Sequence, residues 1–357
     1  LNSLNKLGWN SYFEENFKSY NAVEFRPARI TAENKNNYLL ITEHGEVFAE
    51  VTGKLLFNSD TSADLPKTGD WVVISLHNEN TSALIHDILP RISKISRKTS
   101  GKRTDEQIIA VNIDLIFVIQ SLDNNLNLNR LRRYLVAMNE SGAEVIILLS
   151  KTDLDPEAEI KAKEIKMNFP DNEVIPFSAL LNSGIEVIKN KLSGSKTAVV
   201  LGSSGVGKST LINKLLGQEL LKASEVRLSD SKGKHTTTRR ELFLLPDGGM
   251  IIDTPGMREL ALWNAGEGLS KTFSAFDELA YNCYFSDCTH THEIRCAVLE
   301  ALQEGRLTNE EYESYIKLRK ELKYLESKQD KFLQLEEKRK WKSIHKEMKN
   351  FNKKNKI

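Results

Sequence analysis

Nine residues constrain this chain more than anything else in it. Gly202-Ser203-Ser204-Gly205-Val206-Gly207-Lys208-Ser209-Thr210 fits the pattern G-x-x-x-x-G-K-[ST], directly after the apolar run Thr197 to Leu201 and before a helical pattern running from Gly207 to Leu216. A glycine loop between a strand and a helix turns its backbone N–H groups toward one point, at a helix end that already favours anions. Lys208 is expected to reach β- and γ-phosphate oxygens, and the Ser209 hydroxyl a Mg²⁺ ion. At average residue usage a chance match in a chain of this length arises about once in a hundred. A bare glycine turn is therefore the weaker reading.

The surrounding pattern agrees. Ile113 to Gln120, Glu144 to Leu149 and Val174 to Phe177 are mostly apolar runs, separated by the helical stretches Leu128 to Met138 and Pro156 to Met167. Such alternation predicts a parallel sheet covered by helices on both faces. The β-type segments Glu241 to Leu245 and Met250 to Asp253 continue it. Upstream, Tyr38 to Thr42, Val47 to Val51, Trp71 to Leu76 and Ala83 to Ile88 are short strands with turn signals between them. They predict a small closed barrel, OB-like in preference to SH3-like. Trp71 and Phe48 are both expected in its core. After about Met257 helical segments take over. Thr308-x-x-Glu311 reads as a capping box, and Tyr315, Leu318, Leu322, Leu325 and Phe332 form one apolar stripe. The fold class is thus multidomain: an OB-like β-barrel over 1–97, a central α/β P-loop domain over 98–264, an α-helical metal-binding domain over 265–330, and a basic tail over 331–357.

Composition narrows the partners. With 357 residues, 40% hydrophobic and 28% charged, the chain reads as globular. A net charge of +1 leaves attraction to nucleic acid to local patches such as the lysine-rich tail. No apolar run approaches the roughly 20 residues a membrane helix needs, and no basic-then-apolar leader is visible near the N-terminus. All three cysteines fall between Cys283 and Cys296, which suits a reducing, cytoplasmic compartment and no disulfide framework.

Two elements complete the phosphate side. Met250-Ile251-Ile252-Asp253-Thr254-Pro255-Gly256 ends an apolar strand in Asp-x-x-Gly, placing the Asp253 carboxylate by a Mg²⁺ shell and the Gly256 N–H by a γ-phosphate. About forty residues after the phosphate loop, it reads as a switch segment. Between them lies Lys232-Gly233-Lys234-His235-Thr236-Thr237-Thr238. Thr238 or Thr237 is expected to ligate Mg²⁺. His235 is a candidate base or water-positioning group, although an exposed loop histidine is as good an account of it.

Base recognition sits upstream. Ser150-Lys151-Thr152-Asp153 approximates N-K-x-D, with Ser in place of Asn. Asp153 would accept hydrogen bonds from guanine N1–H and N2–H, which adenine lacks. Ser178-Ala179 matches the short element that touches the guanine edge. Because both elements precede the phosphate loop, the motif order is circularly permuted. Further on, Cys283-x4-Cys288-x-His290-x5-Cys296 matches a closed Cys₃His zinc site, with His292 as rival fourth ligand.

With the permuted order, Gly233-Lys234-His235-Thr236-Thr237-Thr238, Asp253-Thr254-Pro255-Gly256 and the cysteine cluster together, the chain resembles the ribosome small-subunit-dependent GTPase A family from roughly Val23 to Tyr324. The resemblance implies an OB barrel, a permuted GTPase core, a structural zinc domain, and a late role in maturing the small ribosomal subunit through contacts with its rRNA. The departures are Ser150, Lys234 where the family often has Arg, and the long tail. The family carries a hydrophobic residue, here Met257, where many GTPases carry a water-orienting glutamine, so intrinsic hydrolysis is expected to be slow until the subunit completes the site. A monomer is expected. The competing readings are an RNA-binding structural protein that merely carries a nucleotide, and a P-loop ATPase.

Overall fold

The computed structural model describes residues 2–34, 37–99, 106–123, 125–221, 240–254, 262–263 and 265–328. His235, Thr237, Thr238, Gly256, Met257 and the tail 331–357 therefore lie outside the described residues.

Two short helices, α1 (Asn2–Asn5) and α2 (Ser11–Phe17), precede the barrel, the second capped by Asn10 Oδ1, which accepts from the Tyr12 and Phe13 amides. Five strands follow: β1 (Arg26–Glu33), β2 (Tyr38–Thr42), β3 (Gly45–Val51), β4 (Trp71–His77) and β5 (Ser82–Ile88), with α3 (Gly53–Asn58) between β3 and β4. Their order is β1-β2-β3-β5-β4, and β1 pairs back onto β4 to close the ring. The parallel β3–β5 pair decides for the OB arrangement. The four predicted strands are present, and β1, which the turn signals did not mark, closes the barrel. Alternation along the strands buries Ala28, Ile30, Leu40, Val47, Val72, Ile74 and Ile85 inside.

Trp71 is fully buried, but outside the barrel lumen, against Trp9 at 4.8 Å and Phe13 at 5.8 Å. Phe48 corrects the expectation of a core residue: it is 57% exposed, because β3 places Val47 and Ala49 on the inner face and so turns Phe48 outward.

A hairpin, β6 (Lys94–Lys98) with β7 (Glu106–Val111), pairs with itself and spans the expected 97/98 boundary. The α/β unit follows with β8 (Leu115–Ser121), α4 (Leu128–Met138), β9 (Glu144–Ser150), α5 (Ala158–Asn168), β10 (Glu173–Pro176), α6 (Ile185–Lys191), β11 (Thr197–Gly202), α7 (Lys208–Leu216), β12 (Glu241–Leu244) and β13 (Met250–Asp253). The sheet order is β10-β9-β8-β11-β13-β12, parallel except for β12. Every residue of β8 and β11 is buried, as strands covered on both faces require.

The C-terminal unit contains α8 (Gly266–Thr272), α9 (Ser274–Ala280), α10 (Ala297–Gln303) and α11 (309–328). Thr308 caps α11 by accepting from the Glu311 amide at 3.2 Å, and Tyr315, Leu318, Leu322 and Leu325 are buried as the stripe predicted. The unit is fastened to α4. A Cβ on Gly268 would meet the Val136 carbonyl oxygen at 1.9 Å, so only glycine permits this approach of α8. Arg133 on α4 makes two 2.7 Å hydrogen bonds to the Glu321 carboxylate.

The barrel is fastened by Arg29, which is buried to 1% exposure. Its guanidinium donates to the carbonyls of Leu7, Gly69 and Asn112 and to Thr197 Oγ1, uniting the N-terminal segment, the barrel and the sheet in one residue. Burial pushes its pKa down to about 10, against the opposing pull of Asp114 and Asp70, so it stays charged at neutral pH. Arg29→Met keeps the stem and strands those acceptors. It should cost about 3 kcal/mol or more in urea unfolding, whereas a loss below about 1 kcal/mol would mean that water replaces the guanidinium.

Candidate nucleotide site and metal centre

The phosphate loop leaves β11 at Gly202, where φ is +154° and a Cβ would lie 2.6 Å from the Ile119 carbonyl oxygen. It enters α7 through Gly207 at φ +95°. Both turns need glycine, and between them Val206 plugs the loop into the core beneath. Lys208 Nζ folds back over the loop, donating to the Gly202 and Ser203 carbonyls at 2.8 and 2.5 Å. An arriving phosphate can take over those contacts. Ser209 and Thr210 follow in the first turn of α7, and Ser204 and Gly205 form the crest of the loop.

Asp253 ends β13, paired in register beside Val200. Burial pushes its carboxyl above the usual carboxylate range, and the nearby Lys208 offsets this only in part. A carboxylate held there with incomplete compensation is a natural ligand or second-layer partner for Mg²⁺.

The two elements expected to read the base stand at the ends of β9 and β10, next to the phosphate loop. Ser150 is buried, and its hydroxyl donates to the Val206 carbonyl at 2.6 Å, so the residue that departs from N-K-x-D still ties the two loops together. Lys151 adopts φ +61°, and the Thr152 amide donates to the Phe177 carbonyl at 3.4 Å. Asp153 Oδ1 accepts from Ser178 Oγ at 2.5 Å, which orients the carboxylate. Ser178 is fully buried and also accepts from the Leu181 amide, and Ala179 packs partly against the core.

Three residues here escaped the sequence reading. Asp123, after β8, accepts from Lys151 Nζ at 2.7 Å. Burial alone would raise its pKa, but hydrogen bonds from Lys151 and Ser121 hold the carboxyl below the usual range. Asn125 Nδ2 donates to Ser203 Oγ at 3.2 Å, and Arg130 on α4 donates to Asn125 Oδ1 at 2.9 Å. This loop braces Lys151 and the phosphate loop at once. The usable signal was positional: ligands in parallel sheets gather at the carboxyl ends of strands, and β8 lies between β9 and β11.

The candidate metal centre lies in the C-terminal unit. The ligand atoms of Cys283, Cys288, His290 and Cys296 all fall within 4.8 Å of one another. Sulfur–sulfur separation for Cys283 and Cys296 is 3.9 Å, and His290 Nδ1 lies 3.6 and 3.4 Å from Cys283 and Cys296. A tetrahedral zinc ion requires edges of about 3.8 Å between sulfurs and about 3.5 Å between sulfur and nitrogen. The donor set therefore fits a metal ion of that kind. His292 is not part of it: the ring is exposed and meets Thr291 Oγ1 at 2.8 Å. The ligand loop is fixed from outside by Glu293, which accepts from the Thr289, Thr291 and His292 amides, and by Arg319, which donates to the Thr289 and Cys288 carbonyls. Tyr312 donates to the His290 carbonyl at 2.7 Å.

Comparison with known proteins gives a consistent answer. The RsgA GTPase family model matches residues 88–263, and that of the 50S ribosome-binding GTPases matches residues 197–333. A relative from Oceanobacillus iheyensis, named small ribosomal subunit biogenesis GTPase RsgA 1, is 46% identical over 321 residues, covering 89% of this chain and 91% of its own. Among solved structures, YjeQ from Thermotoga maritima superposes with a TM-score of 0.64 at 25% identity, over 84% of this chain and 98% of that one. YloQ, titled a circularly permuted GTPase, shares the fold at 21% identity with a TM-score of 0.59, over 84% and 95% of the two chains. No described helix is long and apolar enough to cross a membrane. Relatives of this similarity match nearly the whole chain, which carries the base and phosphate loops in permuted order on one sheet, between an OB barrel and a Cys₃His cluster, and the chain belongs to the RsgA GTPase family.

Proposed function

We propose that this protein hydrolyses GTP as a late-acting assembly factor of the small ribosomal subunit, gripping the particle in the GTP state and leaving after hydrolysis. The observation that carries the reading is the 2.6 Å hydrogen bond from Ser150 to Val206, which joins a guanine-reading loop to a phosphate loop at one end of one sheet. In this reading Gly202 to Thr210 wrap the phosphates, with Lys208 on the β- and γ-oxygens. Asp153 accepts from guanine, with Ser178 and Ala179 along the base edge. Ser209 and Asp253 hold Mg²⁺, which supplies charge neutralisation between the phosphates. Thr237 or Thr238, Gly256 and His235, outside the described residues, are assigned from sequence to the γ-phosphate and its attacking water.

Zinc is the ion assigned to Cys283, Cys288, His290 and Cys296, in a structural role. The family relationship and the exposed Phe48 on the barrel favour rRNA as the surface gripped by barrel, zinc domain and tail, with the domain limits 1–97, 98–264, 265–330 and 331–357. The setting is the cytoplasm and the working form a monomer.

The test is hydrolysis of GTP and of ATP by the purified chain, alone and with isolated small subunits. Stimulation by subunits confined to GTP is expected, on a scale of about 10³-fold if the particle completes the catalytic site. Equal rates with and without subunits would remove the ribosomal partner from the reading. A non-hydrolysable GTP analogue should tighten subunit binding relative to GDP, and equal binding would remove the timing role.

A further inference from the structure

The outer face of the barrel carries a cluster that the nucleotide site and the Cys₃His centre do not use. Ser75 and His77 lie two residues apart on β4 and so project to the same side. On β5 the ladder runs from Val73 opposite Asp87 to Ile74 opposite Ile85, leaving His86 as the extra residue of a β-bulge. Bulges re-aim side chains, and this one brings His86 over Ser75. The Ser75 hydroxyl meets His86 Nε2 at 2.8 Å and His77 Nε2 at 2.9 Å.

Two imidazole nitrogens converge there on one hydroxyl. A hydroxyl has one proton to give, so it donates to at most one ring, and the other ring must turn its N–H toward it. Among the described residues no carboxylate hydrogen-bonds either Nε2. The Phe25 ring packs edge-on against His86 with centroids 5.0 Å apart and limits where that ring can turn.

We propose that His77 and His86 form a second metal site, binding one divalent transition-metal ion of the kind imidazole favours, such as Ni²⁺, Cu²⁺ or Zn²⁺. Both Nε2 lone pairs then point at the ion, at the usual metal–nitrogen distance of roughly 2.1 Å, and the Ser75 hydroxyl turns to coordinated water. The site is open: His77 is exposed and His86 only half-buried, so water completes the coordination. It is also separate in kind from the Cys₃His centre, whose closed thiolate set leaves no position for a ligand from outside.

The probe is Ni²⁺, titrated calorimetrically into the full-length chain carrying a single equivalent of zinc, which the thiolate site takes first. One equivalent is expected whose affinity falls about tenfold or more in His77→Gln and in His86→Gln, each of which removes one of the two ligating nitrogens, while Ser75→Ala, which removes no ligand, loses less. Glutamine retains a hydrogen-bonding side chain, so a folded variant with lost Ni²⁺ binding isolates ligation from structure. Paramagnetic Ni²⁺ should also broaden the ring resonances of both histidines in the unmodified chain, a readout independent of any variant. Unchanged affinity in both histidine variants would overturn the proposal. So would a loss in Ser75→Ala as large as in the histidine variants, because the cluster would then be a hydrogen-bonded strap between β4 and β5.

Discussion

Asp153→Asn should weaken GTP binding by about 10³-fold, and the same variant should gain affinity for xanthosine triphosphate. The size follows from losing two hydrogen bonds to a charged acceptor, each worth about 1.5–3 kcal/mol. The gain follows from the pattern of donors. Guanine offers N1–H and an N2 amine to a carboxylate, whereas xanthine carries a carbonyl at position 2, which an amide N–H can meet. Because Ser178 holds Asp153 Oδ1 at 2.5 Å, the replacement amide is expected to keep its orientation, with its oxygen toward the Ser178 hydroxyl and its NH₂ toward the base. Displacement of a fluorescent guanine nucleotide measures both effects. A loss of GTP affinity below about tenfold, with the fold intact, would show that another group reads the base and would reopen the ATPase reading.

Removing the metal from the Cys₃His centre should release the C-terminal unit while leaving the sheet in place. Structural zinc sites of this composition contribute about 10–16 kcal/mol of binding free energy at neutral pH, more than a small helical unit has to spare. The core there is modest: Phe276 stacks on Tyr315 at 4.4 Å, with Phe273, Val298 and Leu318 around them. The ligand loop reaches that core through Tyr312 and Arg319, both on α11. Hydrogen exchange after chelation, or in Cys288→Ser, should therefore accelerate across α9, α10 and α11. Amides of β8, β9 and β11, closed inside a parallel sheet, should keep their protection. If the amides of α9 to α11 exchanged no faster, the four side chains would be incidental to that unit's fold.

What the sequence made legible was local. The phosphate loop, the Met250–Asp253 strand and the cysteine spacing can each be read within a dozen residues, because backbone geometry and ligand spacing force the residue types. The range of α4 was readable for the same reason, from an uninterrupted helical pattern between Asn127 and Asn139. What escaped depends on contacts between distant segments. Arg29 reads in sequence as an ordinary surface arginine, since its partners lie 22 to 168 residues away. Phe48 was misplaced because an aromatic residue in a short strand says nothing about which face of the pleat it takes, and β3 leaves its side outward. Asp123 and Asn125 sit in a polar loop with no motif, and only the sheet order reveals that this loop borders both Lys151 and the phosphate loop. His86 joined Ser75 through a bulge, which shifts the two-residue period that sequence patterns assume.

The join between barrel and sheet is unevenly loaded. At the base, by the first residues of β11 and β13, Arg29 makes two hydrogen bonds to the α/β unit, at Asn112 and Thr197, and two more that tie the same buried side chain to Leu7 and Gly69. Three residues further along β1, beside the carboxyl end of β13, the only strand register joining barrel and parallel sheet among the described residues is the pair Ala32 and Glu241. One such pair is worth on the order of 1 kcal/mol. The barrel is thus held firmly at Arg29 and lightly next to Asp253. The first residues of β12 therefore join Asp253 to the barrel through a single register pair, so the barrel's hold on the sheet rests mainly at Arg29.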